Sequence, residues 1–130
     1  MSDQKYEKIE KIVIEITTCK ERRSDTDNPV ELYVGGHKWQ LDIPKYDEFE
    51  KGKTDVFELD IPENFDSSNF QYLCFRKKTY TGKDDDWCIE KIKLIVNDVV
   101  VYEKDSLNAW LMDEKSSWCA PGFIYGRAGE

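Results

Sequence analysis

Isoleucine recurs at every second position in Ile12-Val13-Ile14-Glu15-Ile16. Side chains alternate between the two faces of a β-strand, so this spacing lays all three isoleucines on one face. A helix would scatter them. The same period of two returns in Val30-Glu31-Leu32-Tyr33-Val34 and in Phe57, Leu59 and Ile61. A chain patterned this way buries alternate residues in one shared interior, which predicts strands and excludes a helical bundle.

Breaks in the alternation divide the strands. Gly35-Gly36 predicts a tight hairpin, since glycine takes the positive φ that such turns need. Trp39, Leu41 and Ile43 predict the return strand, stopped by Pro44. Phe70 to Lys77 predicts another strand, with Tyr72 and Cys74 on one face and Leu73 and Phe75 on the other. From Trp87 and Ile89 to Ile92 and Leu94 the alternation slips by one residue. A β-bulge there restores a single apolar face. Asn97-Asp98 predicts a second hairpin, leading into Val99 to Glu103.

Short strands separated by turn signals predict an all-β fold, a two-layer antiparallel β-sandwich of about eight strands. Residues 1–8 are expected as an N-terminal extension, 9–114 as the sandwich, and 115–130 as an irregular tail.

The chain holds 27 acidic against 19 basic residues, a formal charge of −8. Such a surface repels phosphate backbones, which argues against nucleic acid as a partner. No run of about 20 apolar residues occurs, so no transmembrane helix is expected. The first residues lack the apolar stretch of a secretory signal. Cys19, Cys74, Cys88 and Cys119 are scattered, without C-x-x-C or Cys/His zinc spacing. Four free thiols in a reducing, cytoplasmic setting are the expectation. No G-x-S-x-G, H-E-x-x-H or phosphate loop is present, and His37 is the single histidine, so no catalytic residues and no enzyme activity are expected.

Four stretches, in order, carry a family resemblance. The first is Ile12–Thr18 with Ser24-Asp25-Thr26-Asp27-Asn28 and Val30–Val34. The second is Phe49-Glu50-Lys51-Gly52-Lys53-Thr54-Asp55-Val56-Phe57-Glu58-Leu59. The third is Asp84-Asp85-Asp86-Trp87-Cys88-Ile89-Glu90-Lys91-Ile92, and the fourth is Trp110-Leu111. Over roughly residues 9 to 112 the chain resembles the PLAT (lipoxygenase-homology) domain, a β-sandwich found beside lipases, lipoxygenases and polycystins. The first loop departs from the family pattern: Lys20 to Arg23 are charged and bulky where relatives carry glycines.

The resemblance implies that the loop of Asp25 and Asp27 and the loop of Asp84, Asp85 and Asp86 share one end of the sandwich. In some members such acids bind calcium, which takes six to eight oxygens and suits acidic loops. These five aspartates are therefore candidate metal ligands, with calcium as the candidate cofactor. Their ordinary alternative role is as solvated turn formers.

Tyr80, Trp118, Phe123 and Tyr125 lie in segments read as irregular. The resemblance makes them candidates to insert into a lipid interface or a partner, where an apolar body with a polar tip fits. Covering the sandwich ends is their alternative role. Arg76, Lys77 and Lys78 form a local basic run suited to anionic head groups, or simply a solvated strand end.

The leading expectation is a non-catalytic binding module. It would recognise a membrane surface or a protein partner through loops at one end, assisted by calcium. A carbohydrate-binding sandwich is the first rival and needs coplanar exposed rings at positions such as Tyr33, Tyr72 and Tyr102. An assembly role through edge strands is the second.

Overall fold

A computed structural model describes residues 8–21, 30–41, 49–77, 86–112 and 115–121. Its strands are β1 (Ile12–Thr18), β2 (Val30–Val34), β3 (His37–Leu41), β4 (Thr54–Leu59), β5 (Leu73–Lys77), β6 (Trp87–Val96), β7 (Val99–Lys104), β8 (Ala109–Leu111) and β9 (Ser117–Cys119). One sheet has the order β4-β1-β6-β7, with β8 also paired to β6; the other runs β3-β2-β5-β9. Each pairing is antiparallel. The expected two-layer sandwich is what forms.

Ile12, Ile14 and Ile16 are at most 1% exposed and face the second sheet's Val30, Leu32, Leu73 and Phe75, each 0% exposed. Both sides of this interior come from the period-two pattern. The slip between Ile89 and Ile92 is a bulge: Thr17 pairs Lys91 while Thr18 pairs Ile89, leaving Glu90 as the extra residue. Trp87, Ile89, Ile92 and Leu94 consequently all point inward at 0% exposure. Asn97 and Asp98 form the second hairpin, with φ of 51° and 66°. Gly35 forms the first with φ 55°. A Cβ there would collide with the Asn69 carbonyl oxygen.

Three expectations need correction. Ser117–Cys119, placed in an irregular tail, is strand β9, hydrogen-bonded along β5. The four cysteines are not free: Cys19 is bonded to Cys88 and Cys74 to Cys119, with Cα separations of 5.4 and 4.0 Å. Disulfides belong to oxidising compartments, so the basis for a cytoplasmic setting is gone. The strand expected from Phe70 begins at Leu73. Ser67–Asn69 before it is a 3₁₀ turn capped by Asp66.

Candidate functional site

Among the described strands the chain crosses between sheets five times: β1 to β2, β3 to β4, β4 to β5, β5 to β6, and β8 to β9. The register fixes where each crossing leaves. Thr17 pairs Thr54, Thr18 pairs Ile89, Val30 pairs Leu41 and Lys77, and Trp87 pairs Leu111. Every crossing except β4 to β5 therefore springs from the same end of the sandwich. That end is the candidate site.

Its frame is built from buried aromatic and polar groups. Trp87 is 0% exposed. Its ring lies 4.7 Å from Phe49 and 6.3 Å from Phe75, centroid to centroid. Its indole Nε1–H donates to Thr18 Oγ1 at 3.1 Å, which satisfies the one polar atom of the ring. Phe49 sits at φ 61° and donates its N–H to Asp55 Oδ2 at 2.8 Å. Gly52, at φ 75°, donates its N–H to the Thr18 and Cys19 carbonyls at 3.1 and 3.0 Å. The Thr17 and Thr54 hydroxyls bond across the β1–β4 pair at 2.7 Å.

These bonds give the stretch from Phe49 to Phe57 a physical meaning. Phe49 packs on Trp87, Gly52 turns the chain onto the end of β1, Asp55 caps the turn, and Phe57 anchors the core. The Cys19–Cys88 disulfide and the Cys19 N–H to Cys88 carbonyl bond of 3.0 Å join the ends of β1 and β6 beneath the crossings.

The proposed metal ligands distribute unevenly. Asp86 is half-buried and directly precedes β6. Asp25, Asp27, Asp84 and Asp85 lie outside the described residues. What the fold brings together is the pair of stems on either side of them, Glu21 and Val30 for the first segment, Lys77 and Asp86 for the second.

The interface candidates also separate. Trp118 is half-buried in β9, paired with Phe75 and stacked on its ring at 6.4 Å and 29°. It covers the core's flank. Lys77 is 0% exposed. Alternation along β5 turns it inward with Leu73 and Phe75, so it does not contribute a surface charge. Arg76 is exposed on the outer face, directly across from Glu31. Glu31 accepts a hydrogen bond from the Tyr33 hydroxyl at 2.8 Å and lies 3.4 Å from the Lys38 ammonium. Lys78, Tyr80, Phe123 and Tyr125 fall outside the described residues.

The sugar-binding reading weakens. Tyr102 is 1% exposed and Tyr33 is turned onto Glu31, which leaves Tyr72 as the well-exposed member of the suggested sugar platform. His37 meets Phe65 edge-on at 4.8 Å and 79° at the opposite end. A cavity of about 570 Å³ opens near the same opposite end, lined by Ile9, Ile61, Pro62 and Phe65 with Lys8 and Glu63.

Residues 12–118 match the model of the PLAT/LH2 domain, spanning both sheets and the framed end just described. The chain belongs to the PLAT/LH2 domain family. This PLAT/LH2 chain is 30% identical over 115 residues to a phospholipase C of Clostridium haemolyticum, covering 84% of the chain and 28% of that protein. It is 32% identical over 112 residues to the phospholipase C of Clostridium novyi, covering 80% and 27%. An alpha-toxin structure from an avian strain of Clostridium perfringens superposes with a TM-score of 0.75 at 28% identity, over 91% of this chain and 33% of that one. A coral 8R-lipoxygenase, described as activated by calcium through a C2-like domain, shares the fold at TM-score 0.67 and 18% identity, over 85% and 16%. The chain thus spans a third or less of each of these proteins.

Sequence reasoning missed the framing residues. Asp55 and Thr18 look like ordinary strand residues until their partners are known. The matched motif around Gly52 was the available signal.

Proposed function

We propose that this chain is a non-catalytic module that recognises a phospholipid membrane surface through the end where the crossings gather, with calcium as the bridge. The observation that supports it most is topological. The stems flanking both aspartate-bearing segments emerge side by side from one rigid, cross-linked end. Relatives named phospholipase C and a fold-mate activated by calcium through its corresponding domain give the same direction. At a net charge of −8 the chain alone is repelled by anionic lipid, and a divalent cation held among the acids reverses that sign locally. Asp25, Asp27, Asp84, Asp85 and Asp86 are the proposed ligands. Tyr80, Phe123 and Tyr125, with Arg76 and Lys78 nearby in sequence, are the proposed lipid contacts. The disulfides favour an oxidising compartment for this work.

Sedimentation with vesicles tests the reading. The chain is expected to pellet with phosphatidylcholine–phosphatidylserine vesicles at millimolar calcium and to stay in solution with chelator. Asp84→Asn/Asp85→Asn/Asp86→Asn should remove the calcium effect. No pelleting on any vesicle at millimolar calcium would refute it.

A further inference from the structure

The sulfurs of Cys19 and Cys88 do not sit in an apolar pocket. The Glu21 carboxyl joins them in a group whose ligand atoms all lie within 4.8 Å of one another. Glu90 Oε1 is 3.7 Å from the Cys19 sulfur. Asn108 Oδ1 is 3.4 Å from the Cys88 sulfur and 3.9 Å from that of Cys19. A disulfide sulfur carries no hydrogen, so these oxygens have nothing to accept from it. Once reduced to thiolates, the two sulfurs beside the Glu21 carboxyl form the donor set of a borderline-soft divalent cation.

We propose that this disulfide has an alternative state, in which the reduced Cys19 and Cys88, with the Glu21 carboxyl, bind Zn²⁺. The electrons come from a dithiol, which is oxidised to its own disulfide while the protein S–S bond gains two electrons and two protons. The cation then displaces both thiol protons and is held by two thiolates. Asn108 Oδ1, near both sulfurs, supplies an oxygen for the remaining position.

The backbone favours such an exchange. With Zn–S near 2.3 Å, tetrahedral thiolates stand about 3.8 Å apart, so the sulfurs need to part by only about 2 Å. The Cα separation of 5.4 Å leaves that to side-chain rotation. The Cys19 N–H to Cys88 carbonyl bond, the Trp87–Thr18 bond and the Gly52 N–H bonds hold the two strand ends in place without the S–S bond. The cysteines are 1% and 0% exposed, which shields a bound cation, while exposed Glu21 forms the mouth. Either state clamps the stems of the β1–β2 and β5–β6 crossings together. The site does not depend on the membrane reading.

The test uses the full chain with Cys74→Ser/Cys119→Ser, reduced with a dithiol, freed of it and titrated with Co²⁺ as the spectroscopic probe and Zn²⁺ as competitor. We expect a thiolate-to-cobalt charge-transfer band at one equivalent. It should be absent from the unreduced protein and abolished by micromolar Zn²⁺. Glu21→Ala should weaken binding by about tenfold or more. No band, or a full band in reduced Cys19→Ser/Cys88→Ser protein with the other pair intact, overturns the proposal. If the first double variant does not fold, the reduced unmutated chain is compared directly with Cys19→Ser/Cys88→Ser. A reduced chain whose strand circular dichroism is lost with and without Zn²⁺ overturns it as well.

Discussion

Asp55 shows how much a single buried polar residue decides here. It is 2% exposed, and its Oδ2 accepts the N–H of Phe49, a residue held at φ 61°. Its Oδ1 has no hydrogen-bond partner among the described residues. An aromatic residue at positive φ is costly, and persists only where its surroundings over-determine it. Asp55→Ala leaves a buried N–H unsatisfied and should cost about 1–3 kcal/mol, read from the midpoint of urea unfolding. Loss of the cap also frees Phe49 from Trp87, so Trp fluorescence should change in the folded baseline. Tyr102 acts through solvation. Burial raises its phenol above the ordinary tyrosine range. The folded state therefore favours the neutral form. This contribution is fully present below the unfolded value of about 10 and is lost as pH rises through the higher folded value. Stability of the chain should fall over that alkaline window, and Tyr102→Phe should flatten that fall in a series of unfolding curves against pH.

At the scale of elements, the β6–β7 hairpin does more than reverse the chain. Asn97 takes the positive φ its turn requires, and its side chain reaches back to the N-terminal segment. Oδ1 accepts from the Glu10 and Lys11 N–H groups at 2.7 and 3.1 Å, and Nδ2 donates to the Lys8 carbonyl at 2.8 Å. Asn97→Gly keeps the turn and deletes these bonds, which isolates the tether. About 1–2 kcal/mol of stability should go, since bonds near the surface are partly replaced by water. Amide exchange at Lys11 should quicken while the strands of the other sheet keep their protection. Unchanged exchange there would show that the backbone bonds, Asn97 N–H to the Lys11 carbonyl and Ile9 N–H to the Phe65 carbonyl, hold the segment without the side chain. The bulge at Glu90 is a second device of this kind. It corrects the register so that Trp87 and Ile89 face inward together with Ile92, and it turns Cys88 outward against Cys19.

For the molecule as a whole, the arrangement of crossings separates two ends with different chemistry. One carries the acid-flanked stems, the Trp87 frame and a disulfide. The other carries the N-terminal junction, the His37–Phe65–Trp39 ring cluster and the cavity. The second disulfide ties β9 to β5 on the outer face of the second sheet and gives a three-residue strand a covalent hold. Among the described residues no helix is long and apolar enough to cross a membrane.

Strands, turns and the bulge were legible in the sequence because they are local. Period two, Gly35-Gly36, Asn97-Asp98 and the slip at Ile89–Ile92 each lie within a few residues of the structure they specify. The short β8 and β9 were not, since three residues cannot display an alternation. Lys77 was misplaced because a charge suggests a surface, while its position in β5 turns it inward. The cysteine pairs span 69 and 45 residues, and no spacing rule reveals which distant strands become neighbours. Alternation determined that this chain folds into two facing sheets, for each strand must find a partner to bury its apolar side. Which strand lies beside which, and therefore which thiols meet and which crossings share an end, was decided by the three-dimensional packing alone.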